Sequence, residues 1–241
     1  MTQSSNIITA QISPKVRASF SGCALSDRKL FPNSSCILPI SIMGRKEHEG
    51  KRFESTMTLI NKSFQNCTLL IVDSLYRHTL KIDFPNNTAE NLLEQAKDAG
   101  QAWLNRNSNA LKILTIPHQI LYWNHFLNNV EFSKHYITVS DLYEKDDDFR
   151  SSIRLSIEQY LSRYLKRTGV INSFDKEQGL SSCVDYLKEE CAGMCLWVDG
   201  QYDFEVYPTG RSPALAMAYK MLIQPSYPNL LKPVSLRFKK K

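Results

Sequence analysis

The stretch Ile37–Gly44, which reads Ile-Leu-Pro-Ile-Ser-Ile-Met-Gly, constrains the fold of this chain more than any other. Its apolar residues are bounded by polar ones, a pattern that predicts a buried strand. An amphipathic helix over Lys51–Phe64 and a second apolar strand over Cys67–Asp73 follow it. Strand, helix and strand over this length predict a right-handed βαβ unit with parallel strands. Ser41 then lies near the carboxyl end of the first strand, where open α/β sheets bind their ligands.

The rest of the sequence continues the alternation of helices and strands. Residues 1–32 are predicted to be an irregular leader with at most one short packed segment, and residues 33–241 a single domain. Periodicity and turn residues predict these further segments: a helix after Thr88, a third strand at Lys112–Ile116, a helical Ile120–Leu127, a helix over 150–168, a helix from Ser181, a strand at Tyr202–Tyr207, a helix at Pro213–Ile223 and a last strand near Val234–Phe238. The pattern is that of an α/β domain with an inserted helical portion.

Composition and charge narrow the class of protein. No apolar run approaches the roughly 18–20 residues needed to span a bilayer. The polar N-terminus also lacks the apolar segment of a signal peptide. These two observations together favour a cytoplasmic protein without a membrane partner. Six cysteines occur without a C-x-x-C pair, so we expect buried free thiols and no metal site. The net charge of +6 permits a polyanionic partner without requiring one.

Two features in the second half of the chain bring polar groups to the margin of the core. Tyr186 and Glu190, spaced i and i+4 on a predicted helix, are neighbours beside its apolar stripe. In the strand Tyr202–Tyr207, alternation places Glu205 and Tyr207 on the same face. A phenol and a carboxylate in such a place can hold an amine. A half-covered Tyr–Glu pair at a surface is, however, a common arrangement.

Familiar catalytic motifs are absent from the sequence. Ser41 is not in a G-x-S-x-G elbow, because Pro39 and Met43 occupy the glycine positions. There is no Walker loop, no G-x-G-x-x-G fingerprint and no metal-ligand spacing among the five histidines. A serine hydrolase with a standard triad is therefore disfavoured. On position alone, Ser41 is more simply a small polar residue tolerated at a strand end.

The order and spacing of three segments nevertheless resemble the cyclodipeptide synthase family. The segments are Leu-Pro-Ile-Ser41, Tyr186-Leu-Lys-Glu-Glu190 and Val-Tyr207-Pro208. The family pattern is an aliphatic strand that ends in a serine nucleophile, a Tyr-x-x-x-Glu helix far downstream, and a second tyrosine beyond it.

The resemblance runs from about Ile37 to Ile223 and departs from the commoner branch of the family. That branch has glycine two residues before the serine, asparagine three residues after it and histidine after the second tyrosine. This chain has Pro39, Gly44 and Pro208 at those positions. It therefore resembles the other branch, in which the asparagine is absent and proline follows the tyrosine.

The resemblance implies a Rossmann-like, three-layer α/β domain with a parallel sheet, similar to the catalytic domains of class I tyrosyl- and tryptophanyl-tRNA synthetases. It also implies an aminoacyltransferase that makes a 2,5-diketopiperazine from two aminoacyl-tRNAs by a ping-pong mechanism, without a cofactor. Ser41 would take the first aminoacyl group. A second aminoacyl-tRNA would then react with that group, giving a dipeptidyl-enzyme that cyclises. A monomer with no DNA partner is expected.

The resemblance further implies roles for individual positions. Tyr186 and Glu190 would hold the α-amino group of the bound aminoacyl moiety, and Tyr207 would relay a proton during cyclisation. The implied lining of the first side-chain pocket is Ile37, Pro39, Leu70, Gly193 and Glu205, with helix 150–168 beside the second side chain. Gly44 is a further candidate substrate-binding residue. The candidate tRNA-binding residues are Arg45, Lys46, Arg163, Lys166 and Arg167, although basic clusters are more often solvated surface.

Alternatives to a synthase stay open at the level of the sequence. In a non-catalytic, tRNA-binding relative of a synthetase, Ser41 would be structural. An esterase with an unusual serine nucleophile would not need tRNA. A second question concerns Glu205, because a buried, unpaired carboxylate costs roughly several kcal/mol. Either a basic residue of the protein or the substrate must pair with it.

Overall fold

The computed structural model describes residues 16–43, 45–168 and 176–240; Gly44 and the first 15 residues of the predicted leader lie outside this range. The strands in the described residues are β1 (Val16–Ser21), β2 (Ser35–Ser41), β3 (Asn66–Val72), β4 (His118–Tyr122), β5 (Phe204–Tyr207) and β6 (Lys232–Lys240). The helices are α1 (Leu25–Leu30), α2 (Gly50–Ser63), α3 (Arg77–Asp83), α4 (Ala89–Leu111), α5 (Asn124–Leu127), α6 (Phe132–Lys145), α7 (Asp147–Thr168), α8 (Lys176–Leu196) and α9 (Pro213–Ala218). A π-helical turn, Tyr219–Ile223, continues α9.

The strands form one sheet in the order β1-β6-β5-β2-β3-β4. Five of them are parallel, and β1 alone runs antiparallel, against β6. The βαβ unit predicted from Ile37–Gly44 and Cys67–Asp73 is β2-α2-β3, with Ile37 beside Thr68 in the parallel register. The prediction of an α/β domain with a parallel sheet is thus confirmed, with one antiparallel strand at its edge.

Alternation along the strands divides the core into two layers around the sheet. Leu38 and Ile40 of β2 face one side, where they pack in a cluster with Phe53 of α2 and Trp103 of α4. Ile37 faces the other side, where the cluster includes residues of α6, α7, α8 and α9. Helices therefore cover both faces, which is why the central strands are apolar on both sides. This is the predicted three-layer arrangement.

Three segments differ from the sequence-based predictions. Residues 16–32 are not an irregular leader, because they contain β1 and α1. The third strand is His118–Tyr122 rather than Lys112–Ile116, and it occupies part of the stretch predicted to be helical. The segment after α4 is instead a turn in which the Asn61 side chain accepts hydrogen bonds from the Thr115 and Ile116 N–H groups. An edge strand with polar residues lacks the continuous apolar pattern of a central strand, so the sequence pattern did not indicate a strand at β4.

No helix within the described ranges is long and apolar enough to cross a membrane. All six cysteines are free thiols, and five of them are buried. In the same described part of the chain, no group of His, Cys, Asp and Glu side chains is arranged to hold a metal ion.

Candidate active site

The sheet has a topological switch at β2. From β2 the chain proceeds to β3 and β4 on one side, whereas β5 and β6 lie on the other side. Connections that leave in opposite directions open a crevice outside the carboxyl ends of the two central strands, and ligands bind there in sheets of this kind. Ser41 ends β2 and Tyr207 ends β5, so both residues lie at this crevice.

A cavity of about 710 Å³ occupies the crevice and contains most of the residues singled out from the sequence. Those lining it are Ser41, Tyr186, Glu190, Tyr207, Pro39, Glu205, Arg45, Lys46 and Arg163. A second cavity, of about 510 Å³, lies near the β4 edge beside Asp73 and His125, and none of the predicted site residues lines it. The carboxyl ends of β2 and β5 therefore mark the candidate active site.

Of the remaining predicted residues, those that the structure describes are absent from the lining of this cavity. Ile37 and Leu70 are fully buried in the sheet. A Cβ on Gly193 would lie only 2.5 Å from Cη2 of Trp123, so this glycine permits α8 to pack closely on that indole ring. Lys166 is exposed on α7 and is not one of the lining residues. Gly44 and the side chain of Arg167 lie outside the described parts of the chain.

Tyr186 and Glu190 form a hydrogen-bonded pair on the face of α8 that borders the cavity, with the phenol donating to the carboxylate. Burial raises the pKa of Glu190 to about 7, the nearby Glu205 carboxylate adds to that rise, and Arg45 opposes it. Burial, followed by the charge of Glu190, raises the pKa of Tyr186 well above its usual value. At neutral pH the site thus holds a neutral phenol next to a carboxyl group near half-protonation.

Tyr207 faces the same cavity from the end of β5. Burial raises the pKa of its phenol to about 12, although Arg45 works in the opposite direction. The Arg45 side chain hydrogen-bonds to Tyr207, and its Cζ lies 5.1 Å from the centre of the ring. Tyr207 is therefore a protonated phenol held by a cation, which suits a group that passes a proton on rather than one that carries charge.

Glu189, the neighbour of Glu190, belongs to the packing of α8 rather than to the cavity. Arg77 of α3 binds its carboxylate with both guanidinium nitrogens, and Trp123 Nε1–H donates to it at 2.9 Å. His78 Nε2 lies 3.0 Å from the same carboxylate. Although burial alone would raise the pKa of Glu189, His78 and Arg77 together lower it. The pKa values of these two consecutive acids are thus shifted in opposite directions.

His48 is a site residue that the sequence reasoning missed. It is 1% exposed, and its Nδ1 accepts a hydrogen bond from the Ser41 N–H at 2.9 Å. Its ring lies 5.6 Å from that of Tyr207, and Trp103 Nε1–H donates to its backbone oxygen at 3.1 Å. Burial lowers the pKa of His48 to about 3, so the ring is neutral. Because Nδ1 is occupied by a backbone N–H, His48 fixes the backbone of Ser41 rather than forming a Ser–His catalytic pair with it.

Arg211 is the second site residue that the sequence reasoning missed. It is the group that pairs with the buried carboxylate of Glu205. Its Nε donates to Glu205 Oε2 at 2.6 Å, and the two side chains are 5% and 3% exposed. Its guanidinium also stacks on Tyr219, with Cζ 3.9 Å from the ring centre, and donates to the Leu231 carbonyl. The partner of Glu205 is therefore internal to the protein. A buried carboxylate on a strand six residues before an arginine is the sequence signal that could have indicated this pair.

Comparison with known proteins gives matches among solved structures only. No protein-family model and no curated protein matches the sequence. The chain is similar to a CDPS from Fluoribacter dumoffii, with 43% identity over 94% of this chain and 100% of that one and a TM-score of 0.90. It is also similar to a cyclodipeptide synthase from Candidatus Glomeribacter gigasporarum bound to Phe-tRNAPhe, with 23% identity, coverage of 87% and 91%, and a TM-score of 0.68.

A more distant likeness bears on the fold. A tyrosyl-tRNA synthetase from Archaeoglobus fulgidus, complexed with L-tyrosine, shares 11% identity with a TM-score of 0.51. The alignment covers 85% of this chain and 54% of the synthetase. The prediction of a Rossmann-like fold similar to that of a tyrosyl-tRNA synthetase is thus confirmed.

Proposed function

The chain belongs to the cyclodipeptide synthase family, and from that membership we propose that it joins the aminoacyl groups of two aminoacyl-tRNAs into a cyclic dipeptide. The observation that carries the proposal is the single cavity shared by Ser41, Tyr186, Glu190 and Tyr207, at the carboxyl ends of β2 and β5. A sheet of this topology binds its ligand in that crevice. The proposed substrates also support a cytoplasmic location, since charged tRNAs are made in the cytoplasm. We expect the chain to act as a monomer.

The first half-reaction loads Ser41. Its Oγ attacks the ester carbonyl of an aminoacyl-tRNA, and the ribose hydroxyl of the tRNA leaves with a proton. An aminoacyl ester on Ser41 is the product, which is the covalent intermediate of a ping-pong mechanism. Because the ester of the tRNA is already activated, the protein has mainly to position the reactants and move protons.

The second half-reaction builds the dipeptide on the same serine. The amine of the Ser41-bound aminoacyl group attacks the ester carbonyl of the second aminoacyl-tRNA and displaces the second tRNA. The new terminal amine then attacks the ester carbonyl at Ser41, which closes the six-membered ring and regenerates the hydroxyl. Both amines must lose a proton to attack.

The side chains around Ser41 fit these proton transfers. Tyr186 and Glu190 would hold the α-amino group of the first aminoacyl moiety, and Glu190 would accept its proton, since a pKa of about 7 suits a base at neutral pH. Tyr207 would return a proton during cyclisation. Helix α7 would flank the second side chain, and Arg163 at the cavity wall would contact the tRNA together with Arg45 and Lys46 at the mouth.

Expression of the chain in bacteria, followed by mass spectrometry of the medium, tests the proposed function. A cyclic dipeptide that depends on Ser41 is the expected result, and purified protein should carry an aminoacyl adduct on that residue. A tRNA-binding module would yield neither product nor adduct. An esterase would cleave simple acyl esters without tRNA.

His48 provides a prediction about positioning. Replacement by leucine removes the acceptor of the Ser41 N–H, so we expect kcat to fall roughly tenfold to a hundredfold, as misplacement of a nucleophile does. The free energy of unfolding should also fall by about 1–3 kcal/mol, because a buried donor loses its partner. His48→Asn keeps an acceptor oxygen near the position of Nδ1 and should restore most of kcat. Equal activity of the leucine variant and the wild type would contradict this role.

The Glu205–Arg211 pair provides a prediction about stability. Arg211→Met leaves a buried carboxylate without its partner, which should lower the free energy of unfolding in urea by about 3–5 kcal/mol. The double variant Glu205→Leu, Arg211→Met removes both charges and should recover most of that loss. If the double variant is no more stable than Arg211→Met, the pair does not account for the cost.

A further inference from the structure

His78, the second residue of α3, lines the cavity but takes no part in the steps described above. Its side chain is 17% exposed, and its ring lies edge-on to that of Tyr186, with the ring centres 6.4 Å apart. Helix α3 also contacts α7, because Tyr164 donates a hydrogen bond to the Asp83 carboxylate. His78 therefore lies beside Tyr186, in the part of the cavity that α3 and α7 line together.

A buried carboxylate fixes the orientation of this imidazole. Glu189 Oε2 lies 3.0 Å from His78 Nε2. Although burial opposes the shift, His78 and Arg77 lower the pKa of Glu189, so its carboxylate is ionised and can only accept hydrogen bonds. The proton of the neutral imidazole is therefore on Nε2, and Nδ1 carries the lone pair. Within the described parts of the chain, no group is bonded to Nδ1.

The lining of the cavity offers few groups that can accept a proton at neutral pH. Phenols and lysine ammonium groups do not, since their usual pKa values are about 10. The Cys183 thiol does not either, because burial raises its pKa to about 12. Two of the carboxylates are held in ion pairs, namely Glu47 with Arg52 and Glu205 with Arg211. Among the described residues that line the cavity, this leaves Glu190 and His78.

The proposed reaction needs a proton acceptor for each of its two amines. The first amine loses its proton to Glu190 and becomes an amide nitrogen once it has attacked the second ester. The second amine arrives mostly as an ammonium group, because the usual pKa of an α-amino group is about 8. It ends one residue beyond the first nitrogen, and a residue spans at most about 3.6 Å. The second ammonium group is thus displaced from Glu190 toward the part of the cavity beside α7.

The packing of Glu189 does not require a histidine at position 78. Its carboxylate already accepts hydrogen bonds from both guanidinium nitrogens of Arg77 and from Trp123 Nε1–H. Such charge-assisted bonds are strong enough to hold a buried carboxylate. A carboxylate that orients one nitrogen of a histidine leaves the other nitrogen able to take a proton, as in the catalytic triads of hydrolases.

We propose that His78 Nδ1 accepts the ammonium proton of the second aminoacyl moiety before the ring closes. The inference rests on the proposed function. The proton moves from the ammonium nitrogen to Nδ1, and the Glu189 carboxylate at Nε2 stabilises the imidazolium. The free amine then attacks the ester carbonyl at Ser41, the bond from that carbonyl carbon to Oγ breaks, and the remaining amine proton reaches Oγ through Tyr207. The imidazolium returns its proton to water, since the side chain is partly exposed.

The test follows which adduct accumulates on Ser41. His78→Gln places an amide N–H near the position of Nε2, so it keeps a donor to Glu189 but cannot take a proton. His125→Gln, at an exposed histidine beside the second cavity, is the matched control. Each variant is expressed in bacteria next to Glu190→Gln and the wild type. Cyclic and linear dipeptides in the medium and the intact mass of the purified protein are measured.

His78→Gln should make roughly a hundredfold less cyclic dipeptide, the contribution of a positioned base. Its purified protein should carry a dipeptidyl group on Ser41, and hydrolysis of that ester should release linear dipeptide. Glu190→Gln should stop one step earlier, with a single aminoacyl group on the serine. His125→Gln should resemble the wild type. The melting temperature of His78→Gln should stay within about 4 °C of the wild type, because Glu189 keeps its donor.

Other outcomes overturn the proposal and are distinguishable from a failure of the proposed function. Product at the wild-type level from His78→Gln would show that ring closure does not need this histidine, while the proposed function stands. An aminoacyl adduct without linear dipeptide would assign His78 to the first peptide bond instead. If His78→Gln does not fold, His78→Asn, whose side-chain oxygen lies near the position of Nδ1, should accumulate the same dipeptidyl adduct. A wild type that makes neither adduct nor product would contradict both the proposed function and this role.

Discussion

Cyclic dipeptide formation is expected to fall by roughly a thousandfold or more when Ser41 is replaced by alanine, as it does in enzymes that lose their nucleophile. No neighbouring group substitutes for the hydroxyl, because the phenols of Tyr186 and Tyr207 stay protonated and His48 binds a backbone N–H. Stability should change by less than about 1 kcal/mol, since among the described residues the one hydrogen bond of Ser41 Oγ is a 3.3 Å contact with the Met43 carbonyl.

The measurement is product in the medium together with the mass of the purified protein. The wild type should carry an aminoacyl adduct that the alanine variant lacks. Ser108→Ala, on the exposed face of α4, is the matched control and should retain both product and adduct. Undiminished product from Ser41→Ala would remove Ser41 as the nucleophile and, with it, the ping-pong mechanism.

The part of the site that follows from local pattern was predictable from sequence. An apolar run bounded by polar residues fixes β2 as a buried strand, and Ser41 then lies at its carboxyl end whatever the rest of the chain does. Period-two alternation brings Glu205 and Tyr207 to one face of β5. Helical spacing makes Tyr186 and Glu190 neighbours. These relations depend on a few consecutive residues, which is why they are correct in the structure.

The partners supplied by tertiary packing were not predictable in the same way. His48 contacts Ser41 because the turn between β2 and α2 folds back beneath the strand end, and a lone histidine gives no sign of that. The sequence alone does not distinguish Glu189 from Glu190. The rotation of α8 relative to α3 determines that Glu189 is bound by Arg77 and that Glu190 faces the cavity.

Errors in the predicted fold have a related cause. Strand β1 lies at the edge of the sheet and β4 is the opposite edge, so each carries polar residues and has one neighbour only. These segments form strands by pairing with segments distant in sequence, such as β1 with β6, and a local pattern does not show such pairing. The positions Ile37, Leu70 and Gly193 were placed at the pocket by family resemblance, whereas here Ile37 and Leu70 are buried in the core and Gly193 packs against Trp123.

Glu190→Gln is expected to lower product formation by roughly a hundredfold to ten-thousandfold, the usual contribution of a positioned base. In the wild type the rate should rise with pH and level off above about 7, because Glu190 accepts a proton only when ionised and its pKa is about 7. The variant should lack that step in its pH profile. Its affinity for charged tRNA should change little, since glutamine can still accept the hydrogen bond from Tyr186.

The same substitution should stabilise the protein, with a dependence on pH that identifies its cause. Burial raises the pKa of Glu190 from 4.5 in the unfolded chain to about 7 in the folded protein. Between these values the folded state binds the proton more tightly than the unfolded state, so the free energy of unfolding falls as pH rises. The loss is absent below pH 4.5 and complete above about 7, at about 3 kcal/mol.

Urea unfolding of Glu190→Gln and the wild type across this range gives the decisive comparison. Glutamine never ionises, so the variant's advantage should be smallest at acid pH and grow to about 3 kcal/mol above pH 7. Parallel stability curves would mean that Glu190 ionises as it does in water. A base tuned by burial would then be excluded, and Glu190 could serve only to hold the ammonium group.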